Sequence, residues 1–153
     1  MVKALGGNPT PMGFGQVYES LLLGTIDGSE NNWPSYESTG HYEAATHYTL
    51  TRHTMMPEVL VMSKHRWQQL SLQQRNLIRR AAKASVPYMR EQWDKRVALS
   101  QEKVLSAGVE VIDNPDLSLF TDAMAPVYKQ FVTSEKMSDL LKRIQATQET
   151  SVL

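Results

Sequence analysis

Apolar residues recur at helical spacing along most of the chain. Between Phe14 and Leu22, positions 14, 17, 18, 21 and 22 are apolar, and these positions share one face of a helix. We expect Gly24 to end this helix, because glycine tolerates a left-handed cap. A weaker pattern over residues 35–45, interrupted by Gly40, predicts a second helix.

The second half of the chain carries a longer helical pattern. Ser71 to Gln74 forms a capping box, which predicts a helix start, and the pattern continues to Gly108. Pro87 lies inside it, so we expect the long helix to be bent or broken there. Asn114-Pro115 predicts another helix start. The helical pattern continues with one apolar stripe at positions 120, 124, 127, 128 and 131 and a last short helix at 137–144; residues 149–153 are expected to fray.

Three short segments have strand character. His47–His53 alternates between apolar and polar residues, as a half-buried strand does. Val59–Met62 is a continuous apolar run, typical of a strand buried on both faces, and Val109–Ile112 is a third strand. The pattern predicts a helix-rich α/β fold. Strands this few do not form a self-sufficient sheet, so we expect residues 1–148 to belong to a larger fold.

The composition of the chain excludes several classes of function. The chain has 153 residues, with 16 Lys plus Arg and 16 Asp plus Glu, so no net charge attracts nucleic acid. The chain has no run of about 20 apolar residues, the length that would predict a membrane-spanning helix. Its first residues also lack the apolar run of a signal peptide. The absence of cysteine excludes thiolate nucleophiles and thiolate metal sites.

Other chemical motifs are weak. The four histidines, at positions 41, 47, 53 and 65, lack metal-site spacing, and Gly13-Phe14-Gly15 lacks the third glycine of a dinucleotide loop. We therefore expect neither a metal nor a cofactor. Glu30 and Glu58 with a histidine could act as general acid and base in a small hydrolase or isomerase, but no nucleophile accompanies them.

Asn31-Asn32-Trp33 has two interpretations. An amide suits recognition of hydroxyl and carboxylate groups, and the Trp33 indole can supply an apolar wall. The alternative is a turn, since asparagine favours turns.

The order of the segments resembles the periplasmic solute-binding proteins of TRAP transporters. Residues 3–18, KALGGNPTPMGFGQVY, resemble that family's LGAxPxPMxFxEVY block, and residues 24–31, GTIDGSEN, resemble its GxxDGxEN block. Shorter matches occur at Tyr42-Glu43, Leu50–His53 and Lys64–Ala84. The resemblance covers about residues 2–145.

The resemblance implies a partial periplasmic-binding-protein type II-like fold and a transport function, not an enzyme. Family members are two-lobed periplasmic proteins that close on an organic acid and deliver it to TRAP membrane permease subunits. Residues 1–148 would form most of the second lobe, with crossing hinge strands at about 47–63. The family arginine that pairs with the ligand carboxylate would precede residue 1. We therefore expect this chain to be truncated, to bind ligand weakly alone and to self-associate through unpaired strand edges.

Five ligand-binding residues follow from the resemblance and from the amide motif. Phe14 would line the cleft wall, Asn31 would contact the ligand carboxylate, and Trp33 would pack beside it. His53 and Glu58 would lie on the hinge strands, with Glu58 facing the cleft. The Asn31–Tyr36 segment is similar to the branch for sugar acids such as hexuronates. The rival to this function is a protein-interaction module, followed by the hydrolase or isomerase above.

Overall fold

The computed structural model describes residues 1–149. Over that range the chain divides into two compact units, one formed by residues 12–114 and the other by residues 1–11 with the chain from Pro115 onward. Two 3₁₀ turns lie at Val2–Leu5 and Phe14–Gln16. The helices are α1 Val17–Leu22, α2 Trp33–Ser38, α3 His41–Ala44, α4 Lys64–Gln69, α5 Leu72–Ser106, α6 Ser118–Ala123, α7 Ala125–Phe131 and α8 Glu135–Glu149; the strands are β1 His47–Thr49 and β2 Glu110–Ile112.

The short helices of the first unit follow the predicted pattern. The helix predicted from Phe14 to Leu22 is confirmed as a 3₁₀ turn that continues into α1, and Gly24 follows it in the left-handed region, with φ 68°. Gly40, with φ 72°, separates α2 from α3. A positive φ at these positions suits glycine, which has no Cβ.

The two strands form a small parallel sheet. His47 lies opposite Glu110 and Thr49 opposite Ile112, and the Leu50 amide donates to the Ile112 carbonyl at 2.9 Å. A parallel pair requires a long crossover, which the chain between β1 and β2, including α5, provides. The predicted strand His47–His53 is wrong beyond Thr49, because the chain turns at Arg52, whose φ is 45°.

The long helix α5 begins and ends as predicted but is not interrupted. Ser71 and Gln74 form the capping box, with hydrogen bonds of 2.8 and 3.2 Å. Pro87 lies inside a helix that is continuous from Leu72 to Ser106, so the predicted break is wrong. Proline removes one backbone donor, at a cost of about 3 kcal/mol. A helix of 35 residues has many other turns on both sides, and α2 packs against it.

The core of this unit lies where α2, α5 and the sheet meet. Tyr36, Val104 and Val109 are buried. Trp33, Tyr42, Tyr48 and Val111 pack around them. The aromatic residues of α2, α3 and β1 therefore hold α2, and with it the segment that carries Asn31, against the sheet.

The predicted strand Val59–Met62 is wrong in this structure. Residues 50–63 contain no helix or strand, and the side chains of Val59, Leu60 and Val61 are 74, 79 and 80% exposed. A buried strand needs a hydrogen-bonded neighbour, and within residues 1–149 the only strand pair is β1 with β2. The apolar pattern is present, but no strand packs beside it.

The second unit is helical. Val2–Leu5 forms a 3₁₀ turn that is closed by Gly6 at φ 84°, and this turn contacts α6. The helix start predicted at Asn114-Pro115 is wrong: α6 begins at Ser118, whose amide donates to Asp116 Oδ1 at 2.9 Å.

The remaining predictions for the second unit are partly correct. The apolar stripe is divided between α6 and α7, because Met124 ends α6 and Pro126 stands in the first turn of α7. The last helix is confirmed as α8, which ends at Glu149. Beyond Glu149, the predicted frayed tail lies outside the described residues.

Within residues 1–149, none of the helices combines the length and apolar character needed to cross a membrane.

Candidate functional site

The Asn31 loop connects α1 to α2 and is fixed by its own side chains. The Asn32 side chain caps α2 by accepting from the Ser35 amide at 2.9 Å, a typical role for asparagine at a helix start. Asn31 is half-buried, and its Oδ1 accepts from the Asn32 amide at 2.9 Å. Among the described residues no acceptor contacts Asn31 Nδ2. That amide therefore offers two donors to a ligand.

Tyr48 of β1 ties this loop to the sheet. Its hydroxyl donates to the Asn31 carbonyl at 2.7 Å. Its ring stacks on Tyr36 at 4.6 Å between centroids and lies 4.4 Å from Trp33. Burial, with smaller contributions from Tyr36 and Glu30, raises the pKa of Tyr48 to about 12. The hydroxyl is therefore a neutral donor at physiological pH.

Tyr36 extends the same aromatic cluster toward α3. Its hydroxyl donates to the Ala45 carbonyl, and burial raises the pKa of Tyr36 above its ordinary value. Both tyrosines are therefore neutral, and they connect the Asn31 loop, α2 and β1. The sequence showed Tyr48 only as the apolar face of a strand, so its part in holding Asn31 was missed.

A cleft of about 310 Å³ opens beside this cluster, at the lower end of the volume range for small-molecule sites. Its lining combines the Asn31 loop with the turn into β1. In the part of the chain that the structure describes, no lysine or arginine lines the cleft. The lining consists of Asp27, Gly28, Ser29, Asn31, Tyr36, Ala44, Ala45, Thr46, His47 and Tyr48.

His53 lies beside the residue preceding Asn31. Its Nε2 is 3.5 Å from Glu30 Oε2, and its Nδ1 is 2.7 Å from Thr51 Oγ1. The neighbouring Arg52, held at positive φ, donates to the Asp113 carbonyl at 2.9 Å and to its Oδ1 at 2.6 Å. These two hydrogen bonds from Arg52 fix the chain just after β1 and place the His53 imidazole next to the Asn31 loop.

Phe14 and Glu58 lie outside this group. The Phe14 ring is 55% exposed and meets the His41 ring edge-on, with centroids 5.9 Å apart. Glu58 is exposed, and among the described residues its carboxylate makes neither a hydrogen bond nor an ion pair. Of the five predicted residues, the structure therefore brings together Asn31, Trp33 and His53 around Tyr48 and Glu30.

His41 is unusual because it is 1% exposed while both ring nitrogens lack a hydrogen-bond partner among the described residues. Burial lowers the pKa of His41 below its ordinary value, since a charged ring would lose its hydration. It therefore acts as a neutral packing residue beneath Phe14. No group of three or more His, Asp or Glu side chains within residues 1–149 is arranged to hold a metal ion.

A buried carboxylate links α2 to α5. Glu37 is 7% exposed, and its two oxygens accept from Lys103 and Arg96 at 2.5 Å each. The hydrogen bond from Lys103, followed by that from Arg96, lowers the pKa of Glu37. The two cations are seven residues apart on α5, and the sequence analysis did not identify them. The adjoining depression of about 400 Å³ is lined by charges that already neutralise one another.

Comparison with known proteins reveals one family. The DctP family, described as "Bacterial extracellular solute-binding protein, family 7", matches residues 1–135. A solute-binding protein of Chromohalobacter salexigens is 45% identical over 149 residues, which are 97% of this chain and 44% of that protein. The chain spans about half the length of the curated relatives it matches.

Solved structures agree with that match. A TRAP periplasmic solute-binding protein from Bradyrhizobium sp. btai1, in complex with α/β-D-galacturonate, is 52% identical, with a TM-score of 0.84 over 95% of this chain and 49% of that one. The periplasmic ectoine-binding protein of Halomonas elongata is 30% identical, with a TM-score of 0.82 over 97% of this chain and 50% of that one. The predicted partial, helix-rich fold of the periplasmic-binding-protein type is thereby confirmed.

Proposed function

Because this chain belongs to the DctP family of bacterial extracellular solute-binding proteins, we propose that it captures an organic acid for a TRAP-type transport system. A membrane permease would receive the ligand, and the site of action would be the periplasm. The capture is a binding event and not a chemical transformation. The following paragraphs give the support for the ligand class and for the residues.

The observation that carries the proposal is the free amide of Asn31 at the edge of the cleft. Its Nδ2 has no acceptor among the described residues, so it can donate two hydrogen bonds to a ligand. A ligand carboxylate or hydroxyl oxygen could accept from it. Because Tyr48 and the Asn32 amide hold Asn31 in place, little conformational entropy is lost when the ligand binds.

The same cleft favours a ligand with hydroxyl groups as well as a carboxylate. Asp27 and the carbonyls of the lining can accept from hydroxyls, and Ser29 and Thr46 can donate or accept. A hexuronate offers both kinds of group on one small ring. The 52% identity to the galacturonate-binding protein, against 30% to the ectoine-binding protein, supports the same class.

The other predicted residues receive roles of different kinds. Trp33 packs on Tyr48 and supports the loop. His53 contacts Glu30, the neighbour of Asn31, but neither residue is among those that line the cleft. Phe14 would cover the apolar side of the ligand. Glu58 would reach it only if residues 47–63 act as the crossing hinge that the family pattern implies.

A chimera tests the proposed ligand class. Residues 1–149 replace the matching half of the Bradyrhizobium galacturonate-binding protein, and calorimetry measures binding of D-galacturonate and of ectoine. We expect galacturonate to bind at least about 100-fold more tightly, because a site built for hydroxyls rejects a ligand that leaves them unpaired. The unmodified Bradyrhizobium protein is the control.

The same titration separates the outcomes. Equal or tighter binding of ectoine would reject the uronate class, and binding of neither ligand by a folded chimera would reject solute capture. The chain alone is expected to bind galacturonate about 10- to 100-fold more weakly than the chimera. The described cleft lacks a lysine or arginine, and a hydrogen bond to a charged group contributes about 1.5–3 kcal/mol.

The rival enzymatic function has no supporting observation. It requires Glu30, Glu58 and a histidine to converge. Glu30 does contact His53, but Glu58 contacts neither of them through a hydrogen bond or ion pair within residues 1–149.

A further inference from the structure

The ring of His41 is enclosed by the unit formed by residues 12–114 and meets no polar partner there. The side chain is 1% exposed, and neither Nδ1 nor Nε2 has a hydrogen-bond partner among the described residues. Gly40, held at φ 72°, starts α3 and makes His41 its first residue. Both His41 and the residues that cover it belong to the same compact unit. The burial of this ring is therefore complete within this chain.

His41 supports two parts of the proposed ligand site. The Phe14 ring meets it edge-on, with centroids 5.9 Å apart. Helix α1 packs against α3, and the Tyr18 hydroxyl of α1 donates to Glu43 Oε2 of α3 at 3.4 Å. The Asn31 loop begins where α1 ends. The packing around His41 thus holds both Phe14 and the helix from which the Asn31 loop extends.

A proton on His41 would place a positive charge in this enclosure. An unpaired buried charge is very unfavourable, so the ring takes up a proton readily only where water reaches it. Burial lowers the pKa of His41 from its ordinary value of 6.5. Below pH 6.5 the packed form therefore loses stability relative to an open form with a solvated ring, by up to about 10-fold per pH unit.

The other titratable groups around α3 do not pair with the His41 ring. Glu37 accepts from Lys103 and Arg96, and Glu43 accepts from Tyr18. Within residues 1–149, no group hydrogen-bonds to either ring nitrogen. The 3₁₀ turn that carries Phe14 has no titratable side chain. The titratable groups of α1, α2 and α3 besides His41 are Tyr18, Glu19, Tyr36, Glu37, Tyr42 and Glu43.

We propose that His41 makes ligand binding sensitive to acid: when its ring takes up a proton, α3 separates from Phe14 and α1, and the site loses affinity for its ligand. The effect on the ligand rests on the proposed function, whereas the opening is a property of the chain alone. Coupling between two sites is reciprocal, so a ligand that binds only the packed form must also hold His41 neutral.

The opening is tested on the full chain without ligand. Nuclear magnetic resonance follows the His41 imidazole and the Phe14 ring from pH 8 to pH 5. We expect His41 to titrate below pH 6.5 and the Phe14 signals to shift with the same midpoint, whereas titration of the exposed His65 leaves them unchanged. Phe14 signals that stay constant over this range, or a His41 midpoint at or above 6.5, would overturn the proposal.

The effect on the ligand is tested with the galacturonate-binding chimera. Calorimetry at pH 7.0 and pH 5.0 gives a ratio of affinities, which we expect to lie between about 3 and about 30 in favour of pH 7.0. His41→Phe keeps an aromatic ring that does not titrate, so its ratio should fall close to 1, and the control His65→Phe should keep the original ratio. An undiminished ratio in His41→Phe would overturn the proposal.

The two measurements separate this inference from the proposed function. If the chimera does not bind galacturonate at pH 7.0, the proposed ligand class fails, and the Phe14 signals of the full chain still decide whether His41 acts as the acid-sensitive support. If galacturonate binds with equal affinity at both pH values, solute capture stands and the role of His41 is rejected.

Discussion

Tyr48 connects the ligand-binding loop to the sheet through one hydroxyl. Tyr48→Phe keeps the ring contacts with Tyr36 and Trp33 but removes the donor to the Asn31 carbonyl at 2.7 Å. We expect the free energy of unfolding to fall by about 1 kcal/mol, measured by urea denaturation. The exposed Tyr88, 66% accessible on α5, gives the control Tyr88→Phe, which should change nothing. Equal losses in both variants would contradict the role of the Tyr48 hydroxyl.

The raised pKa of Tyr48 also predicts an alkaline limit of stability. Its pKa is about 12 in the fold against 10.0 ordinarily, so the unfolded chain loses this proton first. The stability is fully present below pH 10 and is lost as the pH rises from 10 to 12. Circular dichroism of Tyr48→Phe should show a weaker dependence in that window. If the stability of Tyr48→Phe and that of the wild-type chain depend on pH in the same way, groups other than Tyr48 cause the alkaline loss.

Burial of the His41 ring lowers the free energy of unfolding. His41→Leu removes two ring nitrogens that lack partners among the described residues, so we expect the free energy of unfolding to rise by about 1 kcal/mol. Because burial lowers the pKa of His41, the wild-type chain should lose stability as the pH falls below 6.5, and the variant should lose less. The exposed His65 supplies the control His65→Leu. A destabilised His41→Leu variant would reveal a hydrogen bond at His41.

At the residue scale, the sequence predicted the ligand-binding loop better than the residues that hold this loop in place. Asn31 and Trp33 were identified from the amide-indole motif, and the structure places both at one cluster. Tyr48 and His41 were not, because their importance arises from packing between segments distant in sequence. Glu58 was assigned a cleft position that needs a strand, and that strand is not formed in the structure.

Glu37 joins α2 to α5, and its removal should loosen this packing. Glu37→Gln weakens the hydrogen bonds from Arg96 and Lys103 to a buried group, so we expect a loss of about 1–3 kcal/mol at pH 7. The lowered pKa of Glu37 makes its contribution present above the ordinary value of 4.5 and lost as the pH falls through the folded value. Urea denaturation should therefore show a larger difference between the two proteins at pH 7 than at pH 3.

A surface ion pair on the same helix supplies the matched control. Glu91 contacts Lys95 at 2.6 Å, and both side chains are more than half exposed. Glu91→Gln should cost less than about 0.5 kcal/mol. A loss as large as that of Glu37→Gln would mean that burial of the Glu37 carboxylate is unimportant.

Elements were predicted where local signals decide them. The capping box of α5 and the helix end at Gly24 depend on local signals, and both predictions were correct. Pro87 was expected to bend or break α5, but the helix is continuous from Leu72 to Ser106 and has many hydrogen-bonded turns on both sides of Pro87. Val59–Met62 has a strand pattern, yet strand formation depends on a neighbour that local sequence does not specify.

For the whole molecule, the order of short motifs identified the family although each motif alone is weak. The fold was recognised because residues 3–18 and 24–31 match family blocks in sequence and spacing, and the comparisons confirmed it. The division into two compact units was not predicted, because it depends on residues 1–11 joining the chain from Pro115 onward. That contact spans more than 100 residues and leaves no local signal.

The most direct test of ligand capture is calorimetric titration of D-galacturonate into the chimera carrying Asn31→Ala. With the free amide removed, we expect affinity to fall by about 1–3 kcal/mol, a factor of roughly 5 to 150. Asn76→Ala, an exposed asparagine on α5, is the control and should bind as the unaltered chimera does. Unchanged affinity in the folded Asn31→Ala chimera would contradict the proposal that this loop recognises the ligand.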